Sequence, residues 1–157
     1  MGEFFGSLYC SLFEDFFGLP LAEYLWGTSG AAQVSNMFIG IGLSMIGISL
    51  FMCVCYYYII DHPRLCNWWG WSTFVIVNTI INFVVGWQWV LKDYDAKLMY
   101  KDDPATGKSV PLAIDTDNIL AFGVTNAIIS IIAFIIITYI IKWWSNNCSS
   151  APFTTLK

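Results

Sequence analysis

The chain has 157 residues, of which 57% are hydrophobic, 18% are aromatic and only 11% are charged, with a formal net charge of −4. Ordinary soluble domains carry roughly 25% charged residues, so this composition argues against a soluble fold. The negative balance and the absence of a Lys/Arg cluster also argue against a nucleic-acid partner, because such binding needs clustered cations. We therefore expect an all-α membrane protein that has membrane lipids as its surroundings.

The first predicted element is an amphipathic interfacial segment over residues 4–26. Its polar side chains recur at helical spacing and share one face, whereas Phe and Leu cover the rest; the polar residues are Ser7, Ser11, Glu14 and Asp15. Gly18-Leu19-Pro20 predicts a break in the helix. Because the polar face is acidic, we expect docking on the protein's own helices or on a partner, rather than attraction to anionic lipid. The candidate docking residues are Glu14, Asp15, Phe16 and Phe17.

Three long stretches without Asp, Glu, Lys or Arg follow this segment. A hydrocarbon core about 30 Å thick needs about 20 apolar residues in a helix, and a charge at that depth is costly. We predict three transmembrane helices, over residues 36–60, 69–91 and 118–144. Trp and Tyr residues lie near both ends of these spans, as expected for bilayer interfaces.

Two polar segments lie outside the predicted spans. Residues 92–117 predict a small β-hairpin-like loop, because two short runs flank a turn-forming stretch that contains Pro104 and Gly107. Residues 145–157 form a polar tail rich in Ser, Thr and Asn, which we expect to be flexible or extended. The whole chain, 1–157, is therefore expected to form a single membrane domain.

Small and polar residues within the spans are the candidates for helix packing or for lining a pore. Small residues let helix backbones approach closely, and amides are costly where they face lipid, so both kinds are expected to face inward. They are Gly40, Ser44 and Gly47 on the first span, Asn78, Asn82 and Gly86 on the second, and Asn126 and Ser130 on the third. One interpretation is interhelical hydrogen bonding, at roughly 0.6–2 kcal/mol per contact. The other is the polar lining of a pore.

The sequence offers no catalytic, metal or cofactor signature. His62 is the single histidine and has no acid or cysteine paired with it in a familiar pattern. The five cysteines match no zinc spacing. Gly107-Lys108-Ser109 resembles the end of a phosphate-binding loop, but Asp102 stands where that loop needs glycine. We expect no enzyme activity and no cofactor.

The orientation in the membrane follows from the distribution of Lys and Arg. Four lie on the side of the N-terminus and the 92–117 loop, and three lie on the other side, where the loops are much shorter. Charge density therefore predicts an outside N-terminus and 92–117 loop, with the 61–68 loop and the C-terminus in the cytoplasm. Because Cys10 alone would then lie outside, no intramolecular disulfide is expected there.

The function that these observations favour is that of a non-enzymatic integral membrane subunit. It would have a structural or assembly role in a larger membrane complex, or in a homo-oligomer, and its partners would be other membrane-protein subunits or copies of itself. The alternative is an oligomeric pore or channel with an Asn-lined interior. A membrane enzyme or small-molecule transporter is a third interpretation, which the scarcity of convergent charged residues disfavours.

Overall fold

The computed structural model describes residues 2–31, 35–60, 62, 64–102, 109–145, 148 and 151. Three helices are long and apolar enough to cross a membrane, and they match the three predicted spans to within a few residues. Their bounds are Phe38–Ile60, Trp68–Asp95 and Thr116–Trp144. The turn of the predicted hairpin, 103–108, and most of the predicted tail, 145–157, lie outside the described residues.

The described elements are five α-helices and one pair of short strands. Two helices end in a different helical form, since α3 continues as the π-helix Cys55–Ile60 and α5 continues as the 3₁₀-helix Lys142–Trp144. The elements are α1 (Gly2–Phe17), α2 (Leu19–Trp26), α3 (Phe38–Val54), α4 (Trp68–Asp95), β1 (Tyr100–Asp102), β2 (Ser109–Pro111) and α5 (Thr116–Ile141).

The chain divides into two compact units. Unit 1 comprises Met1–Leu43 and Phe83–Asn126, and unit 2 comprises Ser44–Asn82 and Ala127–Lys157. Each of the long helices contributes one stretch to each unit.

The core of unit 1 is a set of aromatic rings from α1, α3 and α5. The Tyr9 ring stacks on Phe122 at 5.6 Å between centroids and also contacts Phe38 at 5.5 Å. Phe17 meets Phe122 edge to face at 5.5 Å. Such ring pairs add roughly 0.5–1.5 kcal/mol beyond the burial of their area. One face of α1 is therefore held against the protein's own long helices.

The predicted break between α1 and α2 occurs at Gly18, where the backbone has a φ of 91°. Few residues other than glycine adopt this conformation without strain. The carbonyl of Phe17, at the end of α1, accepts a hydrogen bond of 2.9 Å from Nδ2 of Asn118. The Oδ1 atom of the same Asn118 accepts from the backbone N–H of Asp115 at 3.0 Å. The Asn118 side chain thus forms hydrogen bonds with the backbone at the end of α1 and with the backbone just before α5.

The two strands pair antiparallel, as the sequence predicts for the 92–117 loop. Tyr100 lies opposite Pro111, and Asp102 lies opposite Ser109. The outer edge of β1 is joined by Ala31 through an isolated bridge to Lys101. The segment after α2 is therefore attached to the hairpin within unit 1.

In unit 2 the start of α4 is fixed by a side-chain cap. Oδ1 of Asn67 accepts a hydrogen bond of 2.8 Å from the backbone N–H of Gly70, which is the usual N-cap geometry. A Cβ atom at Gly70 would collide with the carbonyl oxygen of Leu65. That loop carbonyl also accepts a hydrogen bond of 3.0 Å from Tyr56. Glycine is required here because the loop backbone passes directly against the helix.

Candidate functional site

The amides of α4 in unit 2 are buried and bonded to each other. Asn78 and Asn82 have no exposed surface, nor has Ser130. Nδ2 of Asn82 donates to the backbone oxygen of Asn78 at 3.0 Å and to its Oδ1 at 3.1 Å. Nδ2 of Asn78 donates to the backbone oxygen of Ser130 at 3.4 Å. These candidates point into the chain's own interior, where the amide nitrogen of Asn82 donates to Asn78 and that of Asn78 donates to the backbone of Ser130.

A second buried amide, Asn126, belongs to unit 1. The hydroxyl of Tyr9 on α1 donates to Oδ1 of Asn126 at 2.5 Å. A Cβ atom at Gly86 would lie within 2.8 Å of Asn126 side-chain atoms. The small residue predicted on α4 therefore makes room for the amide of α5. Sequence reasoning placed Asn126 inward but did not identify its partner on α1.

The small-residue face predicted on α3 is divided between different neighbours. A Cβ atom at Gly40 would lie 3.1 Å from the ring of Trp89, whereas Gly47 has no atom within 4 Å of that position. Ser44 is half-buried. Gly42, which the sequence analysis left out of the candidate list, lies directly against the ring of Phe5. Gly40 and Gly42 thus serve packing within unit 1, and Gly47 lies on open surface.

The candidate docking residues of α1 point in different directions. Phe17 is fully buried against Phe122, so it holds α1 on the protein itself. Phe16 is 55% exposed. Asp15 is exposed and Glu14 is half-buried. Of the four candidates, Asp15 and Phe16 are the ones that the chain leaves most available to other molecules.

A disulfide between Cys66 and Cys148 is the main feature that sequence reasoning missed. The expectation of no intramolecular disulfide concerned only the side of Cys10, whereas Cys66 and Cys148 lie 4.7 Å apart at Cα and are bonded, across 82 positions of sequence. The bond belongs to a packed group of buried residues, here called the disulfide cluster. Its members are Cys53, Tyr56, Tyr57, Cys66, Trp71, Phe134, Cys148 and Ala151.

The sequence did carry a signal for this bond. Cys66 precedes the second span and Cys148 follows the third, so alternating spans put both on one side of the membrane. The predicted orientation made that side the cytoplasm, where thiols stay reduced. A disulfide between the two residues was therefore not considered at the sequence level, because of the compartment assigned to that side.

Four polar side-chain groups meet in or beside the disulfide cluster, and they belong to Cys53, Tyr57, Trp71 and Thr138. Nε1 of Trp71 donates to Oγ1 of Thr138 at 3.3 Å, and Sγ of Cys53 lies 3.8 Å from the same oxygen. The hydroxyl of Tyr57 donates to the backbone oxygen of Ala151 at 3.4 Å. The segment that carries Cys148 is thus held by hydrogen bonds as well as by the disulfide.

Among the titratable groups outside the long helices, those of Tyr24 and Cys10 have a raised pKa. Burial, followed by the charge of Asp93 and its hydrogen bond, raises the pKa of Tyr24 well above the ordinary value. The Tyr24 hydroxyl therefore remains a donor, and it donates to Oδ2 of Asp93 at 3.1 Å. Burial also raises the pKa of the Cys10 thiol, against a lowering by the Trp26 indole. Within the part of the chain that is described, no group of three or more His, Cys, Asp or Glu is placed to hold a metal ion.

A cleft of about 310 Å³ opens beside the hairpin in unit 1. Its polar lining includes one carboxylate, Asp95, and one ammonium, Lys97, both of which are exposed. The other lining residues include Tyr94, Tyr100 and Met99. No histidine or cysteine lines this cleft, so no nucleophile–base pair of the familiar kind is assembled there.

No protein-family model, no curated protein and no solved structure matches the chain. The class that the fold defines is a mostly helical protein with three helices long and apolar enough to cross a membrane. Any more specific function must be argued from the buried polar clusters and the exposed faces described above.

Proposed function

We propose that the chain is a multi-pass integral membrane protein with a structural or assembly role, in which it acts as a non-enzymatic subunit. The observation that carries the membrane placement is the inverted distribution of side chains along the long helices. Phe51 is 62% exposed and Ile76 is 58% exposed, whereas Asn78 and Asn82 are fully buried. Water would favour the opposite arrangement, and lipid favours this one.

The structural role is supported by how the polar side chains of the spans are used. Several of their amides have hydrogen-bond partners within the chain, as in the Asn78–Asn82 pair and in the bond from Tyr9 of α1 to Asn126. Residues buried for packing are not available to bind a solute. The partners that we propose are membrane lipids and other membrane-protein subunits or copies of this chain, without nucleic acid.

Exposed surfaces on α3 and on α1 support the proposed role in assembly. The open position at Gly47 lies on α3 near exposed Leu43, Leu50 and Phe51. A small residue on an exposed helix face lets another transmembrane helix approach closely. Asp15 and Phe16 on α1 offer a second exposed surface of mixed character. Together these surfaces fit a subunit that contacts other transmembrane proteins.

The alternative of a pore lined by Asn78 and Asn82 gains no support from their position. A lumen between copies of the chain would need these amides on an outer surface, and both have no exposed area. We therefore rank the pore below the structural role.

Copurification tests the proposed function. The full-length chain is extracted from native membranes in a mild detergent, with and without prior cross-linking, and its complexes are separated by size. We expect stoichiometric partners or a homo-oligomer. A chain that migrates as a lone monodisperse monomer under both conditions contradicts the assembly role.

A further inference from the structure

The disulfide joins two segments that flank the long helices and is part of the packed interior of unit 2. The Cα atoms of Cys66 and Cys148 are 4.7 Å apart, inside the usual range of about 4.4–6.8 Å. Cys148 has no exposed surface and Cys66 has 8%. Both contribute to the disulfide cluster with Tyr56, Tyr57 and Trp71. The bond is therefore one of the contacts that define this end of the unit.

Local hydrogen bonds place Cys148 for this bond. Its backbone N–H donates to Oγ of Ser145 at 2.8 Å, and its carbonyl accepts from the N–H of Ala151 at 3.0 Å. Both bonds lie beyond the 3₁₀-helix Lys142–Trp144. Next to the other cysteine, Tyr56 donates to the carbonyl of Leu65. Hydrogen bonds thus hold the backbone at or beside each of the two bonded cysteines.

Formation of this bond requires an oxidant. The two thiols lose two protons and two electrons as the S–S bond forms. The electrons reduce the disulfide of a thiol–disulfide oxidoreductase to a dithiol, through a mixed disulfide with one of the two cysteines. Compartments that contain such oxidants are the periplasm, the endoplasmic reticulum lumen and the cell exterior, whereas the cytoplasm keeps thiols reduced.

We infer that the side of the membrane carrying Cys66 and Cys148 faces an oxidising compartment, where the pair is oxidised by such an oxidoreductase. Because the three spans alternate in direction, α1, α2 and the hairpin then face the cytoplasm. This orientation is the reverse of the one that charge density predicts. It rests on the proposed placement of the three long helices in a membrane and does not depend on the assembly role.

The other cysteines and the basic residues agree with this orientation. Cys10 is the cysteine outside the spans on the side of α1, and it is free. A leftover thiol in an oxidising compartment is expected to pair between molecules, whereas a free, half-buried thiol such as that of Cys10 is stable in the cytoplasm. Counted by number, four of the seven Lys and Arg residues lie on the α1 and hairpin side. The positive-inside rule counts these residues in short loops, so their number is compatible with a cytoplasmic hairpin.

The first experiment counts free thiols in the full-length chain. Membranes are dissolved directly in a denaturing detergent with a maleimide that adds a large polymer to each thiol. Three additions are expected without reductant and five after reduction, since three cysteines are free and two are bonded. Cys66→Ser and Cys148→Ser should each give four additions under both conditions. Five additions to the unreduced parent chain would overturn the inference.

The second experiment locates the two ends of the chain. Different epitope tags are placed at the N- and C-termini, and sealed right-side-out vesicles are treated with protease, with inside-out vesicles as the matched control. We expect loss of the C-terminal tag and retention of the N-terminal tag in right-side-out vesicles, and the reverse in inside-out vesicles. The opposite pattern, or the same fate for both tags, overturns the inference.

A carbonate wash of the same vesicles separates this inference from the proposed membrane placement. A chain that stays in the washed membranes while its tags show the opposite pattern refutes only the orientation. A chain that is released by carbonate refutes the placement itself, and the orientation with it. Copurification results bear on neither outcome, so failure of the assembly role remains distinguishable.

Discussion

The hydroxyl of Tyr9 donates to Oδ1 of Asn126 at a distance of 2.5 Å, across 117 positions of sequence. Tyr9 lies on α1, and Asn126 lies in the middle of α5, the third predicted span. A hydrogen bond of this kind gives a buried amide a partner from outside the long helices. It makes α1 part of the fold of unit 1 and not merely a segment lying on a membrane surface.

Replacement of Tyr9 by Phe should lower the stability of the protein. The substitution keeps the stacked ring and removes the donor to Asn126, so we expect a loss of about 1 kcal/mol. Thermal unfolding in detergent, followed by circular dichroism, measures the effect. Tyr100→Phe is the matched control, because that ring is 36% exposed and lies on a strand. An equal shift for both variants would show that the buried hydroxyl contributes nothing specific.

Replacement of Asn78 and Asn82 by Leu should be destabilising and non-additive. Asn82→Leu removes the donor of both bonds to Asn78, and Asn78→Leu removes the Oδ1 acceptor of one of them. Because both single changes break the same side-chain bond, the double variant should lose less than the sum of the single losses. Each single loss is expected at roughly 0.6–2 kcal/mol. Gln88→Leu, an exposed amide on the same helix, is the control.

The same variants test the pore alternative. Vesicles reconstituted with the parent chain should show no ion flux that Asn78→Leu or Asn82→Leu abolishes. A parent conductance that disappears in both amide variants, but persists in Gln88→Leu, would restore the Asn-lined lumen as the better interpretation.

Leucine at two glycines of α3 should separate folding from assembly. Gly42→Leu drives a side chain into the ring of Phe5, so it should displace α1 and destabilise the monomer. Gly47→Leu enters open space and should leave the unfolding temperature nearly unchanged. If the exposed face of α3 receives a partner helix, Gly47→Leu alone should reduce copurification. Retention of all partners by Gly47→Leu would remove this face from the assembly surface.

Loss of the disulfide should destabilise unit 2. Disulfides contribute about 2–4 kcal/mol, mainly by restricting the unfolded chain. Spans that stay in the membrane already restrict that chain, so the lower end of this range is expected. Unfolding of Cys148→Ser is compared with that of the parent chain in the presence and absence of reductant. Reductant should shift the parent and leave the variant unchanged, and a shift of both would indicate an effect unrelated to this bond.

The Cys10 thiol should react slowly with a charged maleimide at neutral pH. The thiolate is the reactive form, and the raised pKa of Cys10, caused first by burial, lowers its fraction there. The rate of labelling should therefore keep increasing as the pH rises above the ordinary pKa of a thiol. Glu14 also raises this pKa, so Glu14→Gln should accelerate labelling. Glu3→Gln is the control, and equal acceleration by both would exclude a specific effect of Glu14.

The three spans and the hairpin could be predicted from the sequence because both follow from local patterns. The absence of charge over each span and the short runs on either side of a turn require no knowledge of distant residues. The break at Gly18 was equally local, since Gly18 and Pro20 are only two positions apart. The coarse fold therefore followed from the sequence.

Pairings between distant residues could not be predicted in the same way. The cost of an amide that faces lipid predicted that Asn126 points inward, but nothing in the sequence identified Tyr9 as its partner. The sequence predicted Gly40 and Gly47 equally as packing residues. In the structure the Trp89 ring packs against Gly40, whereas no atom lies close to Gly47. The pairing of Cys66 with Cys148 was likewise not predicted, because it joins residues 82 positions apart.

The two cysteines of the disulfide are synthesised far apart in time, and this affects when the bond can form. Cys66 emerges after the first span, and Cys148 emerges only after the last one. While the next 82 residues, up to and including Cys148, are synthesised, the Cys66 thiol of the nascent chain can react with other cysteines or with a folding catalyst. With the orientation proposed above, closure of the bond marks a polypeptide whose third span has been inserted, and chains stalled before Cys148 retain the Cys66 thiol.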